Sequence, residues 1–143
     1  MRLAHLAEVV AIEAALFPRP WQREHFLHEL QRNDHAINDV WTLEGRVLGY
    51  LSYWLLGEEI QLNKIAVAQH AQRRGLGRTM MRALMEQAGE RNCSAILLEV
   101  REANQAAIAL YRAFEFRDEG KRADYYGPGQ DALLMARRDL KRI

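Results

Sequence analysis

The chain has a single cysteine, Cys93. An internal disulfide is therefore impossible, and so is a cysteine cluster for zinc. Neither sign of charge is in excess: 20 basic and 19 acidic residues leave a formal charge of +1. That balance gives no support to nucleic-acid or membrane-surface binding, which usually carries a basic surplus on one face. No apolar run approaches the roughly 18 residues of a membrane span. The N-terminus has no apolar signal-peptide core, so a cytoplasmic protein is the expectation. The three prolines, Pro18, Pro20 and Pro128, all fall where loops are expected. No repeat, low-complexity tract or linker divides the chain. Residues 1–143 therefore read as one domain, long enough to bury a core.

What is present is an ordinary globular composition, 49% hydrophobic and 27% charged. Residues 1–4 could make only a stub of strand. Leu6, Val9, Val10, Glu13 and Phe17 then recur at helical spacing. Phe17-Pro18-Arg19-Pro20-Trp21 breaks that helix, because proline removes a donor and restricts its predecessor. Phe26, Leu27 and Leu30 form the stripe of a second short helix, which Asn33-Asp34 ends. Three strands follow, near Ala36–Leu43, Val47–Leu56 and Ile60–Val67. The short turns Glu44-Gly45 and Gly57-Glu58 predict an antiparallel meander. A helix begins near Leu76, with Met80, Ala83, Leu84 and Ala88 on one face. Ala95–Val100 is a compact apolar strand. Strand, crossover helix, strand makes it parallel to the strand before the helix. Asn104 caps another helix running to about Phe114. Phe116–Tyr126 and Ala132–Arg137 read as two more strands. The sum is an α/β domain with a mixed, mostly antiparallel sheet.

The stretch Gln72-Arg73-Arg74-Gly75-Leu76-Gly77 joins the third strand to the third helix. Two glycines one residue apart admit a ligand close to the backbone. A helix starting there points unpaired N–H groups and a positive dipole end into the loop, which suits a phosphate or pyrophosphate. Arg73, Arg74 and Arg78 add charge. The loop is neither a Walker loop nor a dinucleotide fingerprint, since Arg78-Thr79-Met80 follows Gly77. A plain glycine-rich helix entry is the other reading.

Glu99 lies in the apolar run Ile96-Leu97-Leu98-Glu99-Val100, where a carboxylate must be solvated or paired. It is near the C-terminal end of a parallel strand, where ligand sites gather. The structural alternative is a strand-end carboxylate paired with Arg101 or Lys64. Asn104, Ile108 and Tyr111 share a helix stripe beginning just after that strand. Tyr111 is either a core tyrosine or a proton donor. His25 and His28 lie three apart on a helix, with no third ligand near in sequence, so a solvated face is the simpler reading. Tyr125-Tyr126, beside Gly127-Pro128-Gly129, is either an aromatic loop for gripping a peptide or the packing of a hairpin lid.

Ile65-Ala66-Val67, Gln72–Gly77, Leu98-Glu99-Val100-Arg101 and Asn104–Tyr111 together resemble the GNAT superfamily of acetyl-CoA-dependent N-acetyltransferases. More narrowly, the chain is similar to the bacterial ribosomal-protein-alanine N-acetyltransferases. The likeness covers nearly the whole chain, the Phe17–Trp21 segment and Tyr125-Tyr126 included. It implies a single-domain GNAT-like fold with six or seven strands, about four helices and a central parallel strand pair. It implies acetyl-CoA as co-substrate and no metal. It implies a protein N-terminus as acceptor, that of a ribosomal protein among the candidates; a monomer is expected and, from the charge balance, neither nucleic acid nor membrane as partner. The Ile65–Val67 backbone would pair with the pantetheine arm. Gln72 and the segment Arg73–Arg78, with Gly75, Leu76 and Gly77, would hold the pyrophosphate, and Asn104 would touch the cofactor. Glu99 would be the general base and Tyr111 the general acid. Phe17, Trp21, Tyr125 and Tyr126 would meet the acceptor.

Three departures from the family pattern stand out. Gln69 replaces a frequent proline. Glu115 replaces the usual glycine in Ala113-Phe114-Glu115-Phe116, where a helix C-cap needs positive φ. The first strand is nearly missing. Two other functions compete: the same transfer to a small amine or lysine side chain, and a non-catalytic acetyl-CoA-binding module.

Overall fold

The computed structural model describes residues 1–140; the last three residues of the expected domain, 141–143, lie outside the described part. The described elements run α1 (Leu6–Leu16), α2 (Arg23–Gln31), β1 (Ala36–Leu43), β2 (Arg46–Leu56), β3 (Glu59–Val67), α3 (Leu76–Glu90), β4 (Ala95–Arg101), α4 (Gln105–Ala113), β5 (Arg117–Arg122) and β6 (Ala132–Arg137). The strands form a six-stranded sheet in the order β1-β2-β3-β4-β6-β5. β3 and β4 are parallel, while β1/β2, β4/β6 and β5/β6 are antiparallel. Six strands, four helices and a central parallel pair match the architecture expected from sequence.

Two expectations need correction. No strand stub forms at the N-terminus. Leu3–His5 is a 3-10 turn instead, and the Met1 amine donates to the Asn38 carbonyl at 2.7 Å. The strand expected over Phe116–Tyr126 is shorter, Arg117–Arg122. It stops because Asp124 takes a left-handed φ of 54° and its carboxylate accepts the Gly129 N–H at 2.6 Å, closing a tight loop. It starts late because Phe116 is used to end α4.

The chain divides into two compact units: Met1–Leu55 with Asn63–Met80, and Leu56–Leu62 with the chain from Met81 onward. In the first, Leu6 and Val9 of α1, Phe26 of α2, Val47 and Tyr50 of β2 and Ala66 of β3 form one apolar cluster. Phe26 meets Tyr50 edge-on, with ring centroids 5.8 Å apart. Gly49 allows a close approach here. A Cβ on it would lie 2.7 Å from the Ala66 carbonyl oxygen and 3.2 Å from the Met80 sulfur.

In the second unit, Met81 and Leu84 of α3, Ile96 and Leu98 of β4, Ile108 and Tyr111 of α4 and Met135 of β6 are buried. The parallel ladder matches Glu59–Leu62 with Ala95–Leu98 and ends there, although β3 runs on to Val67 and β4 to Arg101. On its other side β4 stays paired with β6 from Ile96↔Arg137 to Arg101↔Ala132.

Glu115 solves the missing-glycine problem by adopting the glycine conformation, φ 67°. The Phe116 N–H then reaches the Tyr111 carbonyl at 3.1 Å and the Glu115 N–H reaches the Arg112 carbonyl at 3.0 Å. These are the two bonds of a Schellman closure. The left-handed conformation costs a residue with a Cβ about 1 kcal/mol, and the exposed Glu115–Arg137 ion pair at 3.1 Å returns little of it. Glu115→Gly is therefore expected to raise stability by about 0.5–1 kcal/mol, the larger chain entropy of glycine offsetting part of the relief. A urea titration reads this as a higher midpoint at unchanged slope. A lower midpoint would mean that the Arg137 contact outweighs the strain.

Candidate active site

The loop after β3 is tied down by side chains. The Gln72 side-chain amide donates to the Val67 carbonyl at 3.0 Å, so this residue closes the loop on the end of its own strand. Gln69 opens a 3-10 turn, Gln69–Ala71, without the help of a proline. Arg73 and Gly75 both take left-handed backbone, φ 65° and 79°. The Gly75 carbonyl accepts from the Thr79 N–H at 3.1 Å and the Thr79 hydroxyl at 3.2 Å, which makes Gly75 the residue that starts α3. The N–H groups of Leu76, Gly77 and Arg78 belong to the first turn, where no intrahelical acceptor exists. Arg73, Arg74 and Arg78 are exposed around it. On β3, Ala66 is buried, and Ile65 and Val67 are partly so.

Phe17 and Trp21 are positioned by a residue whose role the sequence reading missed. Glu13 of α1 is completely buried. Its carboxylate accepts from the Tyr50 hydroxyl in a short contact, from the Trp21 backbone N–H at 2.8 Å and from Lys64 Nζ at 2.9 Å. The Lys64 ammonium lies 3.9 Å from the Phe17 ring centroid and 5.2 Å from that of Trp21. Trp21 in turn stacks on His25 at 3.9 Å, and His25 Nε2 stands 3.6 Å from the buried Glu29 carboxylate. Burial lowers the His25 pKa, with Glu29 opposing. His25 thus supports Trp21 rather than presenting a bare face. The signal for Glu13 was available: a carboxylate occupied a position on the apolar stripe of α1.

Glu99 is half-buried, its side chain 24% exposed. Neither partner anticipated for it is used. Lys64 serves Glu13, and Arg101 lies over the Tyr126 ring at 4.2 Å while donating to Gln130 at 2.5 Å. Glu99 instead faces Arg122 Nη2 at 3.5 Å, and the Tyr125 hydroxyl donates to it. That bond to Glu99 raises the Tyr125 pKa; burial and then Glu99 raise that of Tyr126. The two rings meet edge-on at 5.0 Å. The tyrosine pair is therefore tied to the Glu99 carboxylate, Tyr125 by a hydrogen bond and Tyr126 electrostatically.

Asn104 is the N-cap of α4, its side-chain oxygen accepting the Ala107 N–H at 3.2 Å. Tyr111 is buried against Phe116, centroids 5.8 Å apart. Burial, and then Tyr126, hold its pKa well above the usual phenol range. Its proton therefore stays on at neutral pH. Among the described residues no group of histidine, cysteine and carboxylate side chains is arranged to hold a metal ion.

The profile of the Acetyltransferase (GNAT) family matches residues 6–116. The chain belongs to the GNAT acetyltransferase family. It is therefore an acyltransferase, and its relatives narrow the group. A GNAT protein of Bacillus subtilis, the putative [ribosomal protein bS18]-alanine N-acetyltransferase, is 35% identical over 136 residues, 94% of this chain and 90% of its own. The [ribosomal protein bS18]-alanine N-acetyltransferase of Salmonella typhimurium is 33% identical over 128 residues, 87% and 85% of the two chains. The crystal structure of the ribosomal-protein-S18-alanine N-acetyltransferase from Escherichia coli superposes with a TM-score of 0.87 at 29% identity, covering 97% of this GNAT chain and 90% of the other.

Two outcomes follow from these networks. Removing one partner of a buried ion pair strands the other charge, so Glu13→Gln should destabilise the fold by about 3 kcal/mol. Adding Lys64→Met should recover part of that loss, because both charges then leave together. Chemical denaturation of the single and double variants measures it, and a double variant less stable than Glu13→Gln would refute the pairing. The second outcome concerns alkaline pH. Burial first, then Glu13 for Tyr50 and Tyr126 for Tyr111, raises the folded-state pKa of both phenols above their ordinary value near 10, so their contribution is complete below about pH 10 and is lost as pH climbs beyond it. The melting temperature should fall above pH 10, and less steeply in Tyr111→Phe. Equal slopes would deny Tyr111 a share.

Proposed function

We propose that this chain transfers acetyl from acetyl-CoA to the N-terminal α-amine of a protein, a ribosomal protein of the bS18 kind, with Glu99 as general base and Tyr111 as general acid. The observation that carries the reading is the Glu99 carboxylate, held half-buried at the end of β4, accepting from the Tyr125 hydroxyl and acting electrostatically on Tyr126. The naming of relatives that match over most of their length supports the acceptor.

The residues fit the co-substrate. The left-handed turn at Gly75, the first-turn N–H groups of α3 and the exposed Arg73, Arg74 and Arg78 suit a pyrophosphate. The Ile65–Val67 backbone lies beyond the end of the β3/β4 ladder, leaving an edge for an extended amide arm. Asn104, at the start of α4, would add a contact through its amide. Gln72 takes part by shaping the loop. The bound thioester supplies the acetyl group and releases a thiolate.

A free α-amine has a pKa near 8 and is largely protonated at neutral pH. It must lose that proton before its lone pair can attack. Glu99, partly reached by solvent, accepts the proton directly or through water. Tyr111 keeps its proton at neutral pH and so has one to give to the departing sulfur. Phe17 and Trp21, braced by Lys64, and Tyr125 and Tyr126 would flank the first residues of the acceptor. Amine attack on the thioester requires no covalent enzyme intermediate. The chain works as one acetyltransferase domain.

A thiol-release assay over peptides differing in their first residue tests the acceptor, with Ala-starting peptides expected to lead. Glu99→Gln should lower kcat/KM on the best peptide by about 100-fold or more, within the span of general-base catalysis, with acetyl-CoA affinity unchanged. Full activity in both Glu99→Gln and Tyr111→Phe would sink the mechanism. Turnover of polyamines with none of peptides would sink the acceptor assignment.

A further inference from the structure

The Glu99 corner already holds a cation of this chain's own. Arg122 ends β5, two strands away from β4 in the sheet. The register aligns Arg101, Ala132 and Arg122 across β4, β6 and β5. Ala132 offers only a methyl group between the two arginines, and Arg122 Nη2 stands 3.5 Å from Glu99 Oε1. On the way its guanidinium lies 5.4 Å from the centroid of the Tyr125 ring. A carboxylate beside an aromatic face is a site for a cation.

The hold is loose. Arg138 grips Glu119 with two bonds of 2.6 and 2.7 Å, and Arg112 reaches both oxygens of Asp118 at 3.3 and 3.1 Å. Arg122 makes a single 3.5 Å approach with 55% of its side chain exposed. The other charged groups nearby have partners elsewhere: Lys121 pairs with Glu102 at 2.6 Å, and Arg101 with Gln130 and Tyr126. Arg122 is therefore the cation that an incoming ammonium would displace.

We propose that Arg122 is a resident competitor for the acceptor amine: its guanidinium holds the Glu99 carboxylate until the α-ammonium of the acceptor replaces it. This rests on Glu99 receiving that amine. The exchange substitutes one cation for another, so the half-buried carboxylate is never left bare. Acetylation turns the ammonium into a neutral amide that cannot hold Glu99. Arg122 then returns, and the product loses its electrostatic contact. The same residue sets an entry threshold for substrate and aids release of product.

The test measures binding of a short synthetic peptide beginning with alanine, and of its N-acetylated form, by isothermal titration to the CoA-bound protein. Exposed ion pairs of this kind are weak, so Arg122→Gln should tighten the free-amine peptide by about two- to fivefold. It should leave the N-acetylated peptide unchanged, since that ligand does not compete. Arg122→Lys, which keeps a cation within reach, should bind both peptides like the parent. The steady-state counterpart is a lower KM for the free-amine peptide in Arg122→Gln. Weaker binding of the free-amine peptide, or an equal change for both peptides, would overturn the competitor role and make Arg122 a support for Glu99. Glu99→Gln separates the two layers. Loss of turnover there with no tightening in Arg122→Gln removes the competitor alone. Full turnover in Glu99→Gln removes the base assignment and this proposal with it.

Discussion

The Glu13 carboxylate is the constraint around which the first compact unit is built. It is sealed from water, and it survives there because three donors converge on it from three places in the chain: the Tyr50 hydroxyl, the Trp21 backbone and the Lys64 ammonium. A buried charge is tolerated only when its partners are this complete. The consequence is geometric. The turn between α1 and α2 would otherwise be a proline-rich surface loop, free to wander. Its backbone is instead pinned at Trp21, and its two aromatic rings are set against an ammonium that the same carboxylate holds in place. Charge burial is here exchanged for the fixed position of a loop.

Glu99 is the same residue type under the opposite regime. It sits at a strand end with solvent access, accepts from one phenol and is approached distantly by one guanidinium. Glu13 is buried and already accepts from three donors. Glu99 is under-committed, and the general base we propose there would need that latitude to exchange partners.

Much of this was legible beforehand, and the limits have physical causes. The stripe Leu76, Met80, Leu84, Ala88 gave α3, and the apolar run at Ala95 gave β4, because periodicity reports which face a residue buries. The link through α3 gave the parallel pairing, because crossover geometry leaves little choice. Periodicity carries no information about partners drawn from strands that are remote in sequence but close in sheet order. That is why Arg101 and Lys64 were natural partners to expect for Glu99, and why Arg122, brought in by the order β4-β6-β5, was not. Tyr125 and Tyr126 read both as the end of the strand over Phe116–Tyr126 and as an aromatic loop beside Gly127-Pro128-Gly129; the strand stops at Arg122. The left-handed residue Asp124 put them in a loop instead. Glu13 read as one more position on a helical stripe. Its charge was the clue, and its meaning depended on Tyr50 and Lys64, both more than thirty residues away.

Gly49 carries a consequence beyond packing. Where β2 passes β3, the space for a side chain at position 49 is already taken by the Ala66 carbonyl. That carbonyl belongs to the backbone run assigned to the acyl-donor arm. Any side chain at residue 49 would therefore press first on the Ala66 backbone. Elsewhere a substitution can begin by trimming or exchanging a side chain. Position 49 offers no such gradual path, since the smallest available change is already a collision.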